Sequence, residues 1–305
     1  MNKQLKGSIA IVFATIIWGS TFVAQSMGMD HIGPFTFQAA RCLLGMVILL
    51  PIIAIADKFT NAGDGKNFFT RWWDKKLWIA GLLCGTPLFI AANLQQMGIV
   101  DTDAGKSAFL TAMYIVFVPI LGLFRGIKPS KWIPVSVVLA VAGLYCLSCV
   151  GVTTIAKGDL LLLGCALAFA VQILCVDIFA NQVDCLRLNC INCLVCSSLS
   201  WIVVAFTETP TWAGMWECSG AIAYAGFLSM GIAYSLQIIG QKDLHPATAS
   251  LLMSLESVFA VLSGWLVLKE RMTVWETLGC VLVFVAVILS QLPDKKTNKK
   301  QTPCG

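Results

Sequence analysis

The chain has 305 residues, 58% of them hydrophobic and 12% charged, with a formal net charge of +5. Ordinary soluble domains carry roughly 25% charged residues, so this composition excludes a water-soluble globular protein. Nor does the positive charge point to a nucleic-acid partner: most Lys and Arg residues fall in short segments between apolar runs, where they orient a membrane protein.

About 20 mainly apolar residues cross some 30 Å of hydrocarbon. On that measure the sequence predicts ten spans, at 8–28, 35–56, 77–97, 104–124, 132–150, 159–181, 188–206, 219–241, 247–268 and 274–292. The first follows a basic start, Lys3 and Lys6, and resembles a secretion signal. It is too long for one, and Gln25-Ser26-Met27-Gly28 is a poor cleavage site, so it is read as a span. Residues 57–76, with Asn61, Gly63, Gly65 and mixed charges, read as a loop, and residues 293–305 as a basic tail. With the N-terminus cytoplasmic, only Lys157, Lys269 and Arg271 of the loop bases fall outside. The positive-inside rule then predicts a multi-pass protein of the plasma membrane with both termini in the cytoplasm.

The seventh span contains Cys190, Cys193 and Cys196. Their spacing matches part of an iron–sulfur run, but Ser200 stands where the fourth ligand belongs and no Pro follows. Inside an apolar span Cys acts as a small hydrophobe. Neither a cofactor or metal nor a disulfide framework is therefore expected.

The chain also resembles itself. A shift of 143 places Ser107 over Ser250 and Trp132 over Trp275; a shift of 151 places Gly7 over Gly158, Gln38 over Asn189 and Arg41 over Asn192. Residues 1–150 and 151–292 then form two five-span halves. Five is odd, so similar halves must lie in opposite orientations, the inverted repeat of many secondary transporters. The predicted fold is an all-α polytopic membrane protein of ten helices in two inverted five-helix repeats.

Charges within the hydrocarbon cost at least about 2.5–3.5 kcal/mol on insertion scales, so Arg41, Lys106, Asp177 and Glu256 each need a reason. Arg41 lies six residues, roughly 9 Å, inside its span, and Lys106 lies closer to the edge; both are within snorkelling reach of the outer surface. Polar neighbours share helical faces with these sites or stand at similar depth: Gln38 with Arg41, Asn93 with Gln96, Asn189 with Asn192, and Gln237 with Gln241. These groups either line the two ends of one pathway, the outer end cationic and the inner end acidic, or join helices by hydrogen bonds averaging about 0.6 kcal/mol. Glu256 is different. It is the tenth residue of its span, near the midplane, and must face a cavity, find a partner or be protonated. Burial and an opposing cation act in opposite directions on a carboxyl's proton affinity, so it is expected to bind a proton or a cationic substrate group, or to pack as a protonated acid against another helix. Trp18, Tyr114, Tyr224, Tyr234 and Trp265 are candidates either for cavity walls or for packing and interfacial anchors.

Trp18-Gly19-Ser20-Thr21-Phe22, Ala40-Arg41-Cys42-Leu43-Leu44-Gly45, Gly105-Lys106-Ser107-Ala108-Phe109-Leu110-Thr111, and Leu255-Glu256-Ser257-Val258-Phe259 with Lys269-Glu270-Arg271 stand in this order along the chain. Together they resemble the EamA-type branch of the drug/metabolite transporter superfamily, over about residues 8–290. The resemblance implies ten helices in two inverted repeats, a central cavity, and export of small metabolites such as amino acids, or of toxic compounds. Where the family often has Pro after the glutamate, this chain has Ser257, which leaves a helix break there without its usual cause.

The expected function is secondary transport of a small molecule across the bilayer by alternating access, with proton coupling and facilitated diffusion both open, and either a monomer or a homodimer. No G-x-x-x-x-G-K-[ST] loop supplies ATP coupling. Metabolite uptake and a nucleotide-sugar or sugar-phosphate carrier are the alternatives. A polytopic membrane enzyme fits less well: the two histidines, His31 and His245, lie near membrane edges, and the tight acid pair, Asp101 and Asp103, lies in an outer loop.

Overall fold

The computed structural model describes residues 3–28, 31–60, 68–102, 104–148, 157–268 and 273–292. The basic tail 293–305, the Lys269-Glu270-Arg271 motif and the centre of the 57–76 loop lie outside the described residues. Within them the chain is helical. Spans one to three are α1 (Lys3–Gly28), α2 (Pro34–Thr60) and α3 (Lys75–Asp101). The fourth is split into α4 (Ala104–Thr111) and α5 (Tyr114–Phe124), and the fifth is α6 (Ile133–Ser148). In the second half come α7 (Lys157–Phe179), α8 (Cys185–Thr207) and the short α9 (Trp212–Glu217). The eighth span joins α10 (Ser219–Tyr224), a π-helical stretch (Ala225–Ala233) and α11 (Tyr234–Gln241). The ninth is α12 (Pro246–Met253) and α13 (Leu255–Leu268), and the tenth is α14 (Val274–Ser290).

Helix starts are set by short polar side chains that accept from free backbone N–H groups. Asp74 caps α3, Asp184 caps α8, and Thr273 with Glu276 forms a reciprocal capping box on α14. The perimeter is apolar: Phe13, Leu82, Leu160, Ile202 and Phe206 are among its exposed side chains, as a surface facing lipid requires. Among the described residues eight helical segments are long and apolar enough to span a bilayer, and Ile133–Ser148 and Val274–Ser290 are shorter apolar helices. The chain is a multi-pass membrane protein. Ser8 donates to Gln291 at 3.1 Å, so both described chain ends share one face, the terminal face.

Packing obeys the exchange of the two halves. The self-related pairs α2 with α8 and α6 with α14 are in contact, and α3 with α7 has its mate in α1 with the eighth span. Glycines permit the close crossings. A Cβ on Gly7 would stand 2.7 Å from the carbonyl oxygen of Gly240, and one on Gly158 would stand 2.7 Å from that of Gly98. Gly7 and Gly158 are the residues that the shift of 151 superposes. The same shift carries Thr36 onto Arg187 and Asp57 onto Glu208, and each carboxylate fastens α2 to α8 at one end. Glu208 accepts from the backbone N–H groups of Phe35 (3.0 Å) and Thr36 (2.9 Å) and from the Thr36 hydroxyl (2.6 Å). Asp57 accepts two bonds from Arg187, at 3.2 and 2.5 Å, beneath the rings of Phe68 and Trp72.

The fourth and ninth spans are both interrupted, at Ala112–Met113 and at Ser254. Tight i to i−3 bonds replace the regular ladder there, from Met113 N to Leu110 O and from Ser257 N to Ser254 O, both 3.2 Å. The ninth span therefore breaks without a proline. A Ser pair achieves it: Ser254 Oγ turns back to the Leu251 carbonyl at 2.7 Å, and Ser257 Oγ donates to the Ala108 carbonyl of the fourth span at 3.3 Å.

Two consequences are measurable. Asp57→Ala leaves buried Arg187 with only the more exposed Asp184, 3.6 Å away, and should cost up to about 3–5 kcal/mol, whereas Glu208→Ala removes a helix cap worth about 1 kcal/mol. Thermal melts in detergent should show the first much larger, and largely recovered in the double variant Asp57→Ala/Arg187→Met. Burial holds the His245 imidazole below its ordinary value, against the opposing pull of Asp177, and its Nδ1 accepts from Ala247 N at 3.3 Å to cap α12. The unfolded chain thus binds this proton more readily, so the contribution is complete above pH of about 6.5 and lost as pH falls below it. His245→Asn keeps a capping oxygen and should flatten the fall in melting temperature between pH 7.5 and 5.5.

Candidate functional site

Both interruptions open on one cavity at the centre of the bundle. Thr111 and Tyr114 flank the first break and Met253 and Glu256 the second, and all four line it. Trp18, Phe22 and Gln25 come from α1, Arg41 from α2, Gln95 from α3, Phe169, Gln172 and Ile173 from α7, Ser229 from the π-helical stretch, and Tyr234 and Gln237 from α11. The cavity is narrow, with a volume of about 40 Å³, room for roughly three waters. A larger solute must widen it.

Its wall holds one acid and one base, neither of which makes an ion pair among the described residues. Glu256 is buried and accepts from the Tyr114 hydroxyl at 3.0 Å. Arg41 is 3% exposed; its Nε donates to Gln38 Oε1 at 2.6 Å and one terminal nitrogen to Gln25 Oε1 at 2.7 Å. Its guanidinium also lies over the Phe37 ring, 5.7 Å from the centroid. Arg41 is thus held in place by neutral acceptors, with its full charge uncompensated by them. Beyond it, Gln237, Gln241 and Gln172 form a chain of amides toward the terminal face.

Of the residues singled out from sequence, Glu256, Arg41 and Gln237 meet at this cavity, and Gln38 stands behind Arg41. Gln96 donates to the Gln25 carbonyl at 3.3 Å, beside the cavity. The others lie elsewhere. Lys106 pairs with Asp159 at 2.5 Å, and Thr102 donates to the same carboxylate at 3.3 Å. Asp177 stands 3.8 Å from Arg125 at the terminal face. Asn93 donates to the Phe89 carbonyl and Ser200 Oγ, and Asn189 to the carbonyls of Met230 and Gly231 and to Ser235 Oγ. Asn189 thereby satisfies carbonyls of the π-helical stretch, where the regular ladder is displaced. Asn192 is buried with neither amide atom partnered. Trp18, Tyr114 and Tyr234 line the cavity, whereas Tyr224 bonds Ser20 at 2.6 Å; the Trp265 side chain lies outside the described residues.

Gln95, Gln172 and Ser229 were not singled out from sequence, and Thr111 stood there only as the last residue of a motif. Gln172 had a signal: it is an amide inside an otherwise apolar run, only five residues before Asp177. Cys190, Cys193 and Cys196 are buried, and their sulfurs meet the Met46 carbonyl, the Met230 carbonyl and the Gln38 amide in turn. They pack between α2, α8 and the eighth span.

Comparison with known proteins agrees with this architecture. The model of the EamA-like transporter family matches residues 5–149 and again residues 156–292. An uncharacterized transporter of Archaeoglobus fulgidus is 27% identical over 95% of this chain and 87% of its own length. The uncharacterized transporter YoaV of Bacillus subtilis is 23% identical over 94% of this chain and 97% of its own. A crystal structure at 16% identity superposes with a TM-score of 0.72 over 92% of this chain and 95% of the other, a likeness of fold.

The Tyr114–Glu256 bond joins the two halves across the cavity, and removing one partner of a buried bond costs about 1–3 kcal/mol. Tyr114→Phe should lower stability by that amount. A double-mutant cycle with Glu256→Leu should show coupling on the order of 1 kcal/mol, read from unfolding in detergent.

Proposed function

Given that this chain belongs to the EamA-like transporter family, and is a membrane transporter, we propose that it exports a small zwitterionic metabolite, such as an amino acid, across the plasma membrane by alternating access. The observation that carries this reading is the pairing of Arg41 and Glu256 in one cavity wall, each buried and neither offset by a protein counter-ion among the described residues. Burying an unpaired charge costs several kcal/mol. A solute with a carboxylate and an ammonium group offsets both at once, the carboxylate on the Arg41 guanidinium and the ammonium on Glu256.

The narrowness of the cavity supports a moving mechanism. A solute of amino-acid size needs more room than the roughly three waters this cavity holds, so the interrupted spans separate to admit it, first toward one face and then toward the other. The Lys and Arg bias of the loops supports cytoplasmic termini, with the terminal face inside. An emptied site leaves Glu256 free to take up a proton in place of the ammonium group, which couples export to inward proton movement. Among the described residues Arg41 is the lone base lining the cavity, which favours a zwitterion over a sugar phosphate or nucleotide sugar.

Counterflow in proteoliposomes tests the reading. Saturable exchange of neutral amino acids is expected, reduced at least ten-fold by Arg41→Met, and abolished or made independent of pH by Glu256→Gln. Exchange of sugar phosphates alone would establish the carrier alternative, and exchange untouched by both substitutions would remove this cavity from the transport path.

A further inference from the structure

The amide chain at the terminal-face end of the cavity is incomplete in a specific way. Gln241 Nε2 donates to the Ile173 carbonyl at 3.1 Å. A backbone carbonyl only accepts, so it fixes which way Gln241 turns and presents Gln241 Oε1 to Gln237. Gln237 Nε2 donates to that oxygen at 3.0 Å and to Gln172 Oε1 at 3.3 Å. Turning over any one amide would set oxygen against oxygen or nitrogen against nitrogen. The Ile173 carbonyl therefore orients all three, and the remainder is determined: Gln237 Oε1 and Gln172 Nε2 have no partner. Gln237 is 2% exposed and Gln172 0%, and both line the cavity. One unused acceptor and one unused donor thus belong to two hydrogen-bonded residues of its wall.

We propose that Gln172 and Gln237 form the subsite for the solute's side group, and that they select a neutral group that both donates and accepts: a carboxamide foremost, a hydroxyl next. This rests on the reading of the cavity as a zwitterion site. A carboxamide completes both bonds, its oxygen accepting from Gln172 Nε2 and its nitrogen donating to Gln237 Oε1. A carboxylate sets a second oxygen against Gln237 Oε1. An ammonium group sets its hydrogens against the Gln172 amide. An alkyl group leaves both protein atoms unsatisfied, the arrangement by which hydrogen-bonding sites reject apolar analogues. Position supports the division of labour. Arg41 is seven residues from the first residue of α2 at the face opposite the chain ends, whereas Gln237 is four from the last residue of α11 at the terminal face. The solute lies along the membrane normal, its charged head on Arg41 and Glu256 and its side group on the amides.

Self-exchange of labelled L-glutamine, L-asparagine, L-norleucine, L-glutamate and L-lysine, each measured in proteoliposomes of the unmodified protein, decides the matter. Glutamine and asparagine are expected to exceed the other three by about ten-fold or more in kcat/KM. Norleucine, glutamate or lysine at parity with glutamine would overturn the subsite while leaving the zwitterion reading in place. Exchange of none of the five would overturn both. Gln237→Met removes the free acceptor together with the amide's two donated bonds, and should reduce the glutamine-to-norleucine ratio at least ten-fold. An unchanged ratio in that variant would also overturn the subsite.

Discussion

Hydrocarbon offers no hydrogen bonds, and this constraint shapes every level of the molecule. It confines the described chain to helices and turns polar side chains inward, where each must find a partner among neighbouring helices. Most do so locally. Lys106 finds Asp159, Arg187 finds Asp57, and Asn189 finds the displaced carbonyls of the π-helical stretch. Others stay incompletely matched, among them both amide atoms of Asn192, away from the cavity. The central cavity differs from those places: to free amide atoms of Gln172 and Gln237 it adds an acid and a base that make no ion pair among the described residues. A membrane protein holds such an arrangement at a cost.

The distribution of firm and yielding contacts follows from the inverted repeat. Helices α2 and α8 are fastened at both ends by carboxylates that the repeat superposes, and glycine crossings bring α1 against the eighth span and α3 against α7. The fourth and ninth spans, which carry Tyr114 and Glu256, are instead interrupted beside the cavity and joined to each other by few polar bonds. Rigid-body movement of halves around a central site is the general behaviour of inverted-repeat transporters. Under the alternating access proposed above, the fastened pair would hold still while the interrupted spans change their angle.

Much of this was legible in the sequence, for physical reasons that differ by feature. The spans were visible because apolar length is a one-dimensional property, and the repeat because Gly7, Gly158, Gln38 and Asn189 keep their spacing. Arg41 and Glu256 stood out because a charge in an apolar run is conspicuous. Lys106 and Asp177 stood out equally, yet their partners Asp159 and Arg125 come from other spans, and which charge meets which is decided by packing that no spacing encodes. The break at Ser254 was hidden because serines, unlike proline, bend a helix only through the bonds that they find. Gln172 was overlooked because one amide among apolar residues is usually a joint between helices. Its significance depends on Gln241 and Gln237, 65 and more residues away, being orientated by a single carbonyl.

The two fastenings between α2 and α8 show what duplication leaves free to change. Their carboxylates are superposed by the repeat, but one grips a guanidinium between aromatic rings and the other grips the amide hydrogens of a helix start. Geometry has been kept while the bonding partner has diverged. The first depends on a long side chain that a single mutation can delete. The second takes two of its three donors from main chain, so Glu208 is the side chain on which it chiefly rests. The duplicated halves are therefore unequally open to further evolution: the fastening with the guanidinium can be released by a change at either partner, and the other chiefly by a change at its carboxylate.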